Sequence, residues 1–152
     1  MAQAPGIATC LPSDNIQAKG RTDIPMGEFW MSQPDGTIDC KETASAAHVY
    51  GLPIAAAEAF TGSRPDVYPA MMAPFAHAAL AQGINRFVVL AYVHQPFDNQ
   101  WPGITQDRFF LPYQRHNPWW NEGAGFWKCL IRRICGWTEA PGGSQLYDTE
   151  RV

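Results

Sequence analysis

Two short apolar runs, Ile24-Pro-Met-Gly-Glu-Phe-Trp30 and Pro53-Ile-Ala-Ala-Ala-Glu-Ala-Phe-Thr61, each carry one glutamate near the end, Glu28 and Glu58. What lies between them restricts the fold more than anything else in the chain. Asp39-Cys-Lys-Glu-Thr-Ala-Ser-Ala-Ala-His-Val-Tyr50 is helical by composition, opens on a good N-cap residue with Glu42 placed for a capping box, and is followed by Gly51 and Pro53 as stop signals. The stretch reads as strand, helix, strand. In a parallel βα array the carboxyl ends of the strands share one face, so Glu28 and Glu58 are expected to converge on one pocket. Paired carboxylates of that kind suit acid/base work on a glycosidic bond.

The same logic extends the array. Pro69-Ala-Met-Met-Ala-Pro-Phe-Ala-His-Ala-Ala-Leu-Ala-Gln82 is Ala-rich and helical, with Pro69 tolerated in its first turn and Pro74 expected to kink or restart it. Ile84 to Tyr92 is β-branched and aromatic, a third strand that ends just before His94-Gln-Pro96. Strands are expected near residues 24–29, 53–58 and 85–92. Residues 96–118 are rich in Pro, Gly, Asn, Asp and aromatics, with a turn at Trp101-Pro-Gly103, and read as the kind of long loop where binding residues gather. A last helix from Phe126 to Cys135 places Phe126, Leu130 and Ile134 in one stripe. Residues 1–22 read as an irregular segment with a helical turn near Asn15–Lys19, 23–137 as the α/β domain, and 138–152 as a linker or tail.

Composition fits a folded chain, with 46% hydrophobic and 16% charged residues. A net charge of −3, with the 11 Lys and Arg forming no long run, makes no electrostatic case for nucleic acid. The most apolar stretch, Phe87–Val93, is far shorter than the roughly 20 residues of a spanning helix, and no signal peptide is visible. Cys10, Cys40, Cys129 and Cys135 form no CxxC pair and read as buried or incidental thiols. A chain of 152 residues holds only part of a (β/α)8 barrel of about 250.

Several of these segments, taken in order, carry a resemblance. Met26-Gly-Glu-Phe-Trp30, Lys41 to Gly51, Ala56-Ala-Glu-Ala-Phe-Thr61, Gly83-Ile-Asn-Arg-Phe-Val88, Val93-His-Gln-Pro96 and Pro118-Trp-Trp120 closely resemble the glycoside hydrolase family 106 α-L-rhamnosidases. The resemblance implies a partial (β/α)8 (TIM) barrel of about three parallel βα units plus a C-terminal helix. It implies a carbohydrate substrate, namely a plant or algal glycan or glycoside losing terminal α-L-rhamnose by inverting, calcium-assisted hydrolysis. Glu58 takes the general-acid role, Glu28 that of second active-site carboxylate and calcium or sugar ligand, and the general base falls on an earlier strand. A secreted or periplasmic location is implied in the same way, as is a need for the remainder of the barrel.

Each residue also has a plainer reading. A glutamate among alanines and Phe60 is costly unless paired, which favours function for Glu58. Glu28, flanked by Phe29 and Trp30, could instead be a buried acid tied to Arg86 or a backbone amide. Tyr92, His94 and Gln95 lie on the presumed active face and are candidates for sugar contact, together with Trp30, Trp119 and Trp120, whose rings could stack on a pyranose or simply fill the core. His48 and His77 read as packed or hydrogen-bonded helix residues. Two rivals to an enzyme fragment remain open at this point: a carbohydrate-binding protein using the six tryptophans and five tyrosines, and an α/β domain with a structural role.

Overall fold

The structure is a computed structural model and describes residues 13–32, 38–90, 92, 94–100 and 111–138. The elements run α1 (Asn15–Gly20), β1 (Met26–Trp30), α2 (Ile38–Tyr50), β2 (Ala56–Thr61), α3 (Pro69–Gln82), β3 (Arg86–Val89) and α4 (Ala124–Thr138). Cys10, the turn at Trp101-Pro-Gly103 and nearly all of the expected tail lie outside the described residues. The three strands form one sheet in the order β1-β2-β3, parallel throughout. This is the α/β arrangement that three consecutive βα units produce.

Alternation along the strands sets the two faces. Gly27, Phe29, Ala57, Ala59 and Phe87 share the face that receives the helices, while Met26, Glu28, Trp30, Ala56, Glu58 and Val88 share the other. Phe29 and Phe60 are fully buried and meet edge to face with ring centroids 5.1 Å apart, and Phe87 closes the group at 5.6 Å from Phe29. Burying each such ring contributes about 1.5–3 kcal/mol. Trp127 of α4 packs on Phe60 at 6.1 Å, and the stripe of Leu130 (buried) with Phe126 and Ile134 (half-buried) lies against the same core, as expected.

Two expectations about helices are corrected. Pro74 does not restart α3, which runs as one helix from Pro69 to Gln82 and stops at Gly83 in the left-handed region at φ 105°. The capping box at Asp39 and Glu42 does not form in the expected way: the helix already begins at Ile38, and both carboxylates serve tertiary bonds. Asp39 accepts from Lys19 and from the Glu28 amide, and Glu42 Oε2 accepts from Asn15 Nδ2 at 2.9 Å. Those bonds hold α1, whose six residues are too few to persist alone, against α2. His48 is exposed rather than packed, and His77 is exposed with its Nε2 3.1 Å from the Arg133 guanidinium.

The third strand is shorter than the expected 85–92. Leu90 N–H still reaches Ala59 O, at a stretched 3.4 Å, but β2 turns away at Phe60, and among the described residues the pairing of β3 with β2 ends at Val89.

Candidate active site

Glu28 and Glu58 are direct register partners on β1 and β2. Adjacent strands in a sheet lie about 4.8 Å apart, so the two side chains leave the same face side by side. Burial is the main cause pushing the Glu28 carboxyl above its ordinary value, and the negative charges of Glu58 and Asp39 push the same way. A hydrogen bond from the Trp30 side chain opposes the rise, as does the Lys19 ammonium. Trp30 sits two residues on along the same face. Its ring lies over Gly62, where a Cβ would come within 3.0 Å of it.

β2 does not end as a regular strand. Glu28 pairs with Glu58, yet Trp30 pairs with Thr61, so β2 spends one extra residue between those pairs. Phe60 takes up the excess at φ 62°, a conformation uncommon for a non-glycine residue. It is held there by its buried contacts with Phe29, Phe87 and Trp127, and its carbonyl accepts the Ser63 hydroxyl. Phe60 therefore stays with the core, and Thr61 comes out on the glutamate face. The Thr61 hydroxyl donates to Glu58 Oε1 at 2.6 Å, a short hydrogen bond.

Behind Glu28 the backbone is supported by α2. Asp39 Oδ2 accepts the Glu28 N–H at 2.7 Å, and Asp39 Oδ1 accepts from the buried Lys19 ammonium, which also donates to Thr43 Oγ1 at 2.9 Å. The approach needs Gly27: a Cβ there would stand 2.4 Å from Thr43 Oγ1 and 2.6 Å from Asp39 Oδ2. Burial pushes the Asp39 carboxyl up, with Lys19 pulling against it. Cys40, fully buried with its Sγ 3.7 Å from Glu28 O, has its thiol pushed up to about 12 by burial.

A carboxylate pair on one end of a parallel sheet is a common arrangement, and relatives decide what it belongs to. The sequence profile of glycoside hydrolase family 106, described as alpha-L-rhamnosidase, matches residues 2–136. The chain belongs to that family. A curated protein of Formosa agariphila, provisionally named a beta-glucuronidase, is 37% identical over 122 residues, covering 80% of this chain and 10% of the relative. The solved structure of a rhamnosidase from Novosphingobium sp. PP1Y superposes with a TM-score of 0.73 at 28% identity, covering 80% of this chain and 12% of that one. The chain thus spans about a tenth of the length of these relatives.

Of the residues expected to form the site, this family 106 segment brings together Glu28, Glu58 and Trp30, and adds Thr61, which sequence reasoning passed over. Tyr92 and His94 lie beyond the end of β3 and are exposed. Gln95 is buried, and its amide donates to the carbonyls of Phe97 and Gln100, both at 2.8 Å, bracing the loop that follows. Trp119 donates its indole N–H to Val67 O at 3.0 Å, and both Trp119 and Trp120 pack half-buried against the core. For calcium, expected with Glu28 as a ligand, the fit is poor within this segment. Among the described residues no three His, Cys, Asp or Glu side chains gather, and two carboxylates fall short of the six to eight oxygens calcium takes.

Proposed function

We propose that this chain is the part of an α-L-rhamnosidase barrel that supplies its general acid, Glu58, and a second active-site carboxylate, Glu28. The observation that carries the reading is the direct register of the two glutamates on the sheet face turned away from the helices. Val88, the Glu58 partner on β3, is apolar yet 44% exposed on that face, as expected of a barrel interior that further strands would cover. In this reading Glu58 protonates the glycosidic oxygen, a base on another strand takes a proton from water, and the water attacks from the opposite side with inversion. The substrate is a plant or algal glycan or glycoside bearing terminal α-L-rhamnose, and the enzyme acts outside the cytoplasm. Calcium enters only as an ion to which Glu28 would give one oxygen ligand, the others coming from outside the described residues.

One observation favours a second assignment: the upward shift of the Glu28 carboxyl suits a proton carrier as well. Leaving-group dependence separates the two. In the enzyme carrying this segment with the remaining barrel strands, Glu58→Gln should cut rhamnose release from an alkyl α-L-rhamnoside by about 10²–10⁴-fold and spare a dinitrophenyl rhamnoside, which needs no acid. The same selective loss in Glu28→Gln instead would transfer the role. The 152-residue chain alone should show little turnover, since the base is elsewhere. Strong turnover by that chain would refute the assignment of the base to another strand. Turnover of an aryl β-D-glucuronide but not of the rhamnoside would overturn the substrate, and unaltered sugar binding with no hydrolysis in any form would favour a binding module.

A further inference from the structure

We propose that Thr61 is a positioning residue for Glu58, holding one carboxyl oxygen so that the transferable proton sits on the other; the inference rests on Glu58 being the general acid. Three observations support it. The Thr61 hydroxyl donates to Glu58 Oε1 at 2.6 Å, which leaves Oε2 as the atom that can carry the proton. Thr61 is only 1% exposed, and its β-branched side chain has few rotamers, so the donor cannot swing away to water. Its backbone is also fixed on both sides: Thr61 O accepts the Met31 N–H at 2.9 Å, and the flanking Phe60 and Gly62 are both left-handed, at φ 62° and 71°. A regular β2 would have put residue 60 on the glutamate face and pointed residue 61 into the core. The single left-handed phenylalanine is what delivers a hydroxyl to the acid.

The bond helps most when it is needed. With Glu58 protonated on Oε2, Oε1 is a neutral carbonyl oxygen and the Thr61 bond is an ordinary one. As the C–O bond of the glycoside breaks, its electron pair goes to the leaving oxygen, which takes the proton from Oε2. Glu58 becomes anionic and Thr61, keeping its own proton, now donates to a charged acceptor, a bond roughly twice as strong. Water supplies the new bond to the sugar and gives its proton to the base. Stabilisation that grows along the reaction lowers the barrier rather than merely tightening substrate binding.

The test uses the enzyme with the complete barrel and two substrates, an alkyl and a dinitrophenyl α-L-rhamnoside, on the parent, Thr61→Val, Thr61→Ser and Glu58→Gln. Valine keeps the shape of threonine without the donor. Thr61→Val should lower kcat/KM for the alkyl substrate about 10- to 100-fold, the worth of a hydrogen bond to a charged group, and change the dinitrophenyl substrate little. Thr61→Ser should restore the parent ratio of the two substrates. That ratio is read within each variant, so a partly unfolded preparation does not alter it. A widened ratio in Glu58→Gln with an unchanged ratio in Thr61→Val would overturn the role of Thr61 alone. An unchanged ratio in Glu58→Gln would remove the acid assignment and this inference with it.

Discussion

Replacing Lys19 by methionine should test the support behind Glu28. The ammonium is 1% exposed and bonds Asp39 Oδ1, Asp39 O and Thr43 Oγ1, while the Asp39 side chain is 20% exposed. Methionine fills nearly the same volume, so little packing is lost. What remains is a largely buried carboxylate without its counter-ion, a change that costs about 3–5 kcal/mol. For a chain of this size that corresponds to a drop in Tm of roughly 6–20 °C. The loss should depend on pH in a definite direction. The Asp39 carboxyl is already raised by burial with Lys19 opposing the rise, so removing Lys19 raises it further. A group whose pKa is higher in the folded state favours folding most at low pH and progressively less as pH rises through that value. The deficit of Lys19→Met should therefore be full at neutral pH and shrink as the pH falls through the raised Asp39 values of variant and parent, above the ordinary carboxylate range. Urea denaturation of parent and variant between neutral and acid pH measures it. Adding Asp39→Asn, which removes the stranded charge and keeps an acceptor for the Glu28 amide, should recover much of the neutral-pH loss. A deficit below about 1 kcal/mol, or one that does not vary with pH, would refute the reasoning.

Two glycines make a matched pair for denaturation measurements. Gly27→Ala should destabilise by about 1–3 kcal/mol, because its Cβ meets Thr43 and Asp39, including the Asp39 carbonyl at 2.9 Å, whereas Gly125→Ala in α4, with nothing within 4 Å, should stabilise by up to about 1 kcal/mol; equal effects would contradict the packing described. Cysteine labelling mapped by mass spectrometry should find exposed Cys129 modified in the native protein and Cys40 modified only on unfolding, since its thiol is buried and pushed up to about 12. Rapid native labelling of Cys40 would place it somewhere other than under Glu28.

The sequence carried the array of strands and helices because each apolar run is short, β-prone and bounded by turn residues, and because the glutamates fall at equivalent places in successive units. Their register follows from that regularity. What was not legible came from long-range contacts. Asp39 has every local mark of a helix cap, yet a buried lysine from a segment read as irregular and a strand amide compete for its oxygens and win. The extra residue in β2 carries no glycine to announce it. A phenylalanine in the left-handed region is held there by an aromatic cluster assembled from three other segments. Thr61 could have been noticed only by giving up strict alternation, and the early end of β3 is a consequence of the same bulge.

The bulge also acts as a phase marker for anyone who cuts or splices this domain. Every residue of β2 before it obeys one parity of inward and outward, and every residue after it obeys the opposite one. Straightening β2 here without changing its length would leave composition and propensity untouched while exchanging the threonine for an aromatic ring beside the acid. Alignments that slide a gap through this position would invert the apparent chemistry of the following loop. Grafting the loop after β2 into another barrel therefore calls for a cassette that starts before Phe60 and ends after Ser63, so that the left-handed step travels with the residues it orients.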